Sequence, residues 1–376
     1  MLARLIGSIL LAGLSAMALA APMQDPAEPP KAESAPEPVA KPAAEPDKPA
    51  AEKPETPESP PEEKGGLLLR YKFAPGQTLA FKSRAEFQQR DEANGVSQET
   101  TLVREQTDRI KVLELDEKGR AQVEWTIDGL KIDGSFPLGK YQFAADQPPE
   151  TTTPLGKILT PLYQRTQGLV LRLAIGPQGE FSDLRGYADR VQEVATGHPL
   201  AVQCGYGGTN NGLRVALEDL SVIFGDKVIR PGEKWDIPIQ LEAPALGRVR
   251  GKRVYTLVGP EAPAADGAKA DSASTSDPKI AATNLAKLRV QFTTDLQYDI
   301  AVEQGDVTVT GKLASTESSG VAIFDPVAGR LESLKSRYKV NGKLSVISGG
   351  MTKEISIDQT QSVTVDALPT AQIKNP

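Results

Sequence analysis

The 376-residue chain holds one histidine and one cysteine, His198 and Cys204, six positions apart. They lie in the loop-like stretch Gly197-His-Pro-Leu-Ala-Val-Gln-Cys-Gly-Tyr-Gly-Gly-Thr-Asn-Asn-Gly212. A cysteine nucleophile needs a base within hydrogen-bond reach and a third group to orient that base. Its thiol must also be acidified, often by a helix N-terminus. Cys204 stands nine residues before Leu213, where the next helical pattern begins, which is too far for that dipole to act. Pro199 holds His198 in a rigid setting, and catalytic Cys and His usually come from different elements. His198 and Cys204 therefore form a candidate catalytic pair set against a plainer reading, a buried cysteine and a surface histidine.

Other chemistries find less support. Gly205-Tyr-Gly-Gly-Thr-Asn-Asn-Gly212 could cradle a phosphate ahead of a helix. It lacks the Lys-Ser/Thr of a P-loop, and no βαβ unit precedes it. A lid over a cleft, or a plain connector, fits it better. One His and one Cys cannot supply the three or four N/S ligands of a zinc site. Asp226, Asp306 and Asp325 stand in turns without the spacing of a calcium loop. No Gly-x-Ser-x-Gly elbow occurs. A pair of carboxylates for hydrolysis would leave no signature in a chain with 49 acidic residues. Trp125 and Trp235 fall at strand positions and read as core. No cofactor-binding or metal-binding residue is expected, and no cofactor.

The elements that would position such groups are mostly strands. Leu67, Leu69, Tyr71 and Phe73 alternate with polar partners, and Ala74-Pro-Gly-Gln77 turns the chain. Leu79, Phe81, Ala85 and Phe87 repeat the two-residue period of a strand with one wet face. Asn94-Gly95 marks a hairpin, followed by a long strand to about Leu115. After the turn Asp116-Glu-Lys-Gly119, Ala121, Val123, Trp125 and Ile127 point one way. Leu130 and Ile132 point the other, with a bulge expected at Gly129.

The second half repeats the style. Arg230-Pro-Gly-Glu-Lys-Trp235 opens a strand over Asp236 to Glu242, and Arg248 to Val258 forms the next. Leu288 to Val302 is the longest clean alternation, and Gly305-Asp306 turns it into Val307 to Leu313. Strands at Val321–Phe324, Arg330–Val340, Leu344–Ile347 and Glu354–Val365 follow, with turns at Asp325–Gly329 and Asn341-Gly342.

Between the halves the period changes to that of helices. Leu155, Ile158, Leu159 and Leu162 fit a first, with Pro161 inside it; Tyr187, Val191, Val194 and Ala195 fit a second. Leu213 to Phe224 fit a third, closed by Gly225. Val170 to Ile175 is a strand among them. Residues 260–283 lack periodicity and read as a mobile loop. The fold class expected is mainly β: a strongly curved antiparallel sheet, a half-barrel or cradle, with a helical insert at about 150–225. A two-sheet β-sandwich is the alternative.

Composition divides the chain further. Residues 1–20 carry Arg4, the apolar run Leu5–Leu14 and Ala18-Leu-Ala20, the pattern of a secretory signal peptide. No cysteine lies near that cleavage site, which argues against a lipid anchor. Residues 21–66 form a Pro/Ala/Glu-rich linker. Within Pro22–Lys64 stand 13 of the 30 prolines, 11 acidic and 5 basic residues, so the linker's balance of −6 equals that of the whole chain. Such a segment has too little to bury to offset its ordering entropy. It suits a spacer, or a ligand for an SH3-like partner. The globular part, 67–368, is close to neutral, which argues against nucleic-acid binding. Residues 369–376 are a short tail. A single cysteine allows no internal disulfide, and about 300 residues suffice for a core without one.

Three motifs carry a resemblance: Leu69-Arg-Tyr-Lys-Phe-Ala-Pro-Gly-Gln77, Arg230-Pro-Gly-Glu-Lys-Trp235 and Phe324-Asp-Pro-Val-Ala-Gly-Arg-Leu331. Together they resemble an uncharacterised family of exported bacterial proteins, a domain of unknown function, over most of 67–368. The resemblance implies a secreted β-rich domain and no catalytic residues. The cradle is also similar in outline to bacterial lipoprotein-carrier half-barrels, an analogy of fold alone. The function expected is that of a non-enzymatic extracytoplasmic module binding a partner or apolar ligand in the concavity of the sheet. A carboxylate-dependent hydrolase and a structural envelope protein are the alternatives.

Overall fold

The computed structural model describes residues 66–149, 151–185, 214, 217–218, 220–243, 247–261, 287–304 and 307–369. The expected signal peptide, almost all of the linker, the His198–Cys204 pair, the second helix, most of the loop at 260–283 and almost all of the tail lie outside the described residues.

In chain order the elements are β1 (Thr78–Ala93), β2 (Val96–Leu115), β3 (Ala121–Phe136), β4 (Gly139–Ala144), α1 (Pro154–Thr166), β5 (Val170–Ile175), β6 (Phe181–Arg185), β7 (Lys234–Ala243), β8 (Gly247–Pro260), β9 (Leu288–Gln304), β10 (Val307–Asp325), β11 (Arg330–Ser348) and β12 (Met351–Ala367). All twelve strands join one antiparallel sheet in the order β6-β5-β3-β2-β1-β12-β11-β10-β9-β8-β7, with β4 on the far half of β3. One sheet replaces the sandwich alternative. The end strands β6 and β7 do not pair, so the sheet stays open.

The sheet is nevertheless strongly bent. Phe181 of β6 and Leu331 of β11 line one cavity although six strand steps separate them. At about 4.8 Å per step a flat sheet would hold them about 29 Å apart. A bulge contributes to the bend. Thr107 pairs Gly129 and Asp108 pairs Ile127, leaving Asp128 as the extra residue. The expectation that Ile127 and Leu130 face opposite ways is corrected here. The inserted residue restores the phase, and Ile127, Leu130 and Ile132 are all buried on one face.

Turn chemistry explains most hairpins. Asn94 and Gly95 have φ of 54° and 76°, the left-handed pair of a tight hairpin between β1 and β2. Asp116 Oδ1 accepts from the amides of Lys118 and Arg120, both at 2.9 Å, and closes the next turn. Asn341-Gly342 behaves differently. It runs straight through β11, with Gly342 paired to Leu313 and Ile357, and the chain turns instead at Gly349-Gly350. The glycine is needed for close approach: a Cβ there would lie 2.1 Å from the Lys312 carbonyl oxygen. Likewise β10 is one strand from Val307 to Asp325, bulged at Ser315–Glu317, where two short strands were expected.

The helical expectations are met in part. α1 matches the first, capped by Thr153, whose Oγ1 accepts from Gly156 N at 3.0 Å. Its apolar side, Leu155, Leu159, Leu162 and Tyr163, packs against β3 to β6 and forms one core with them. Of the third, Arg214, Leu217 and Glu218 are helical. Val222 to Phe224 are not, because their amides serve other partners: Phe224 N donates to Gln178 O at 2.8 Å and Val222 N to the Tyr71 hydroxyl at 3.2 Å. A second core joins β7 to β12 around Phe224, Tyr255, Phe292 and Phe324. A smaller one lies where β1, β11 and β12 extend beyond it.

Residues 68–73 also depart from expectation. They keep the alternation but pair with no strand. Leu67, just before them, bridges to Ile229, its N donating to Ile229 O at 2.9 Å, and their own amides tie loops together: Tyr71 N donates to Pro177 O at 2.7 Å and Lys72 N to Gly329 O at 2.9 Å.

Candidate functional site

The two cores meet at a cavity with about 70 Å³ of room for water-sized molecules. Its floor comes from the sheet: Leu79, Phe81 and Ser83 of β1, Asp108 and Ile110 of β2, Trp125 of β3 and Val365 of β12. Tyr71 and Phe73 close it from the N-terminal segment, Leu220 and Ser221 from the insert, and Arg330 and Leu331 from β11. Nearly all of this lining is apolar. The space is several times the roughly 10–15 Å³ needed to hold one water.

The three motifs converge on this end of the sheet. Phe324 packs edge-on against Tyr71, with centroids 5.3 Å apart, and against Phe224 at 4.8 Å. Trp235 stacks on Tyr255 at 5.2 Å and donates from Nε1 to Ile223 O at 2.7 Å. Trp235 is half-buried and Trp125 fully buried, so both serve the core as expected, and Trp125 also faces the cavity. Lys72 reaches over the β10–β11 hairpin and donates from Nζ to Pro326 O at 3.2 Å and Val327 O at 3.0 Å. Asp325 Oδ1 holds the same hairpin by accepting from Val327 N and Ala328 N, both at 2.8 Å. Of the three motifs, the first lines the cavity through Tyr71 and Phe73 and the third through Arg330 and Leu331, while the second packs behind them through Trp235.

Asp108 is the one carboxylate of the floor. It is 2% exposed. Trp125 Nε1 donates to its Oδ1 at 2.9 Å, and Gln106 Nε2 donates to the same oxygen. Among the described residues no donor reaches Oδ2. Burial pushes the carboxyl above the ordinary carboxylate range, against the opposing pull of these hydrogen bonds. Arg330, the one basic residue of the lining, is already paired through Nε with Glu332 at 2.8 Å. Burial likewise raises the Tyr71 phenol far above its usual value, so it stays neutral.

Asp108 ends a buried polar row on β2. Arg104 donates to Gln106, and Gln106 donates to Asp108, all on the face that carries Leu102 and Ile110. On the neighbouring strand, Gln89 Nε2 donates to both oxygens of Asp91, at 2.8 and 3.0 Å. Tyr338 donates to Gln361 farther along the same face. Buried polar groups cost stability unless they bond to one another, and rows linked in this way meet much of that demand, with Gln89 Oε1 left without a partner among the described residues.

His198 and Cys204 lie outside the described residues, so the structure neither joins nor separates them. Sequence reasoning passed over Asp108. Its signal was present: in Leu102-x-Arg104-x-Gln106-x-Asp108-x-Ile110 three polar residues occupy in-phase, core-facing positions of an otherwise apolar row.

No family model matches the chain, and no curated protein matches it. The motif resemblance to a family of exported proteins therefore rests on the motifs alone. Solved structures give distant likenesses. A structure described as lipid-protein interactions in lipovitellin aligns at 12% identity over 81% of this chain, with a TM-score of 0.34. The chain spans about a quarter of that lipovitellin chain, 27% of its length. The β-domain of the Bordetella autotransporter BrkA aligns at 8% identity over 78% of this chain and 100% of its own, TM-score 0.20. A DUF1329 family protein from Desulfovibrio piger aligns at 8% identity over 78% and 87%, TM-score 0.12. Scores this low carry no argument about ancestry or activity.

Proposed function

We propose that the protein is a non-enzymatic extracytoplasmic module that binds an apolar ligand in the bend of its sheet. The observation that carries this reading is the cavity between the two cores, walled by Phe73, Leu79, Phe81, Trp125 and Phe181. Concave, mostly apolar spaces with few polar groups are the usual form of small-molecule sites. The export pattern of residues 1–20 supports a setting outside the cytoplasm. A carboxylate-dependent hydrolase would need a second carboxylate beside Asp108. Among the described residues lining the cavity, Asp108 is the only one.

Uptake of the apolar dye N-phenyl-1-naphthylamine by the full chain tests the proposal. Saturable, one-to-one fluorescence enhancement is expected, and Ser83→Leu, which fills the floor, abolishes it while leaving the β-sheet circular dichroism intact. Unsaturable enhancement, or enhancement that survives Ser83→Leu, contradicts the reading.

A further inference from the structure

Resting on that reading, we infer that the ligand is an apolar chain ending in a single hydrogen-bond donor, and that the donor docks on Asp108 Oδ2. The hydrogen bonds of the floor run in one direction. Arg104 donates to Gln106, Gln106 donates to Asp108, and Trp125 also donates to Asp108. Both donors that reach the carboxylate use Oδ1. Oδ2 is left as an acceptor on a side chain that is 2% exposed and lines the cavity. An acceptor that no donor among the described residues reaches, on a side chain lining the cavity, is open to a ligand that brings a donor of its own.

The rest of the lining selects for the chain. Around Asp108 stand Phe81, Ile110, Trp125 and Val365, which offer contact area and no competing charge. The only cation, Arg330, is held by Glu332. An anionic head such as a fatty carboxylate would meet Asp108 with like charge, and the nearby cation on its row, Arg104, already acts on Asp108 itself, so such a head is disfavoured. A hydroxyl or an amine fits, and both share the required donor. The cavity, several times larger than one water needs, has room for that head and the start of the chain.

Calorimetric titration of the full chain at pH 8 with 1-decanol, decylamine and decyl methyl ether tests the assignment. The ether keeps the chain and the oxygen but lacks the donor. The expected result is that decanol or decylamine binds about tenfold or more tightly than the ether, the size of one hydrogen bond to a charged group. Which of the two is tighter tells a neutral head from a cationic one. In Asp108→Asn, whose amide can present a donor to the cavity, that preference falls to near onefold. Equal binding of all three, or a preference unchanged in Asp108→Asn, overturns the donor assignment and leaves the apolar cavity standing. Failure of all three to bind overturns both.

Discussion

The indole nitrogen of Trp125 lies 2.9 Å from Asp108 Oδ1, on the adjacent strand and one register step from the bulge at Asp128. Asp108 pairs directly with Ile127 across the ladder, so Trp125 reaches it on the diagonal. The register is regular from Ile110 opposite Trp125 to Asp108 opposite Ile127, and the bulge begins on the far side of Asp108. A core tryptophan and a buried carboxylate thereby become parts of one cavity floor.

Removing the indole donor should cost stability. Trp125→Phe keeps a large aromatic surface and deletes the bond to a buried carboxylate, an interaction of about 1.5–3 kcal/mol. Urea unfolding is expected to show a loss in that range with an unchanged slope. A loss below about 0.5 kcal/mol would mean that the bond is not made.

Asp108 should impose its own pH dependence. Its folded pKa is raised above the unfolded value by burial. The stability tied to the protonated form is therefore complete below the unfolded pKa, about 3.9, and is lost as pH rises through the folded value. Asp108→Asn has no such loss and keeps an oxygen for Trp125 and Gln106. The difference in unfolding free energy, variant minus parent, is expected to grow as pH rises from about 4. A difference that shrinks with rising pH would show the opposite shift.

The hairpin frame should be intolerant of a side chain at Gly329. Its φ is 62°, and a Cβ would lie 2.7 Å from the Lys72 amide nitrogen. Gly329→Ala strains the backbone and pushes on the Lys72 N to Gly329 O bond. A loss of about 1–3 kcal/mol is expected. Gly95→Ala, also left-handed but with nothing within 4 Å, should cost less, and the two midpoints measured side by side check the ordering.

Phe324 joins the frame to the second core. It is fully buried between Tyr71 and Phe224. Phe324→Ala is expected to cost about 3–5 kcal/mol. It should also loosen the cavity wall, so dye affinity measured below the unfolding transition falls with it.

Much of the sheet was legible because its side chains obey a two-residue period with turn residues between. The end of β2 at Leu115 and the extent of β5 match the alternation directly. Three features were not legible, each for a physical reason. Asn341-Gly342 has the composition of a hairpin, but tertiary pairing with β10 and β12 uses its glycine for close approach. Residues 68–73 alternate like a strand, yet their amides bond to loops distant in sequence. β4 and β6, at six and five residues, are too short for periodicity to stand out. The candidate site drew notice at His198 and Cys204 because those residue types are rare. Asp108, one acidic residue among 49, becomes visible only when it is seen as the third polar residue on a core-facing row.

The central claim is that the space beside Trp125 receives an apolar ligand. Trp125 and Trp235 are the two tryptophans of the chain, so Trp235→Phe leaves Trp125 as the sole indole reporter. The direct measurement is the emission of Trp125 in that variant during titration with 1-decanol. A saturable, one-to-one change in wavelength or intensity is predicted, because the ligand replaces water against the ring. Emission that stays constant up to the solubility limit of decanol, in a variant shown to be folded, would contradict the account.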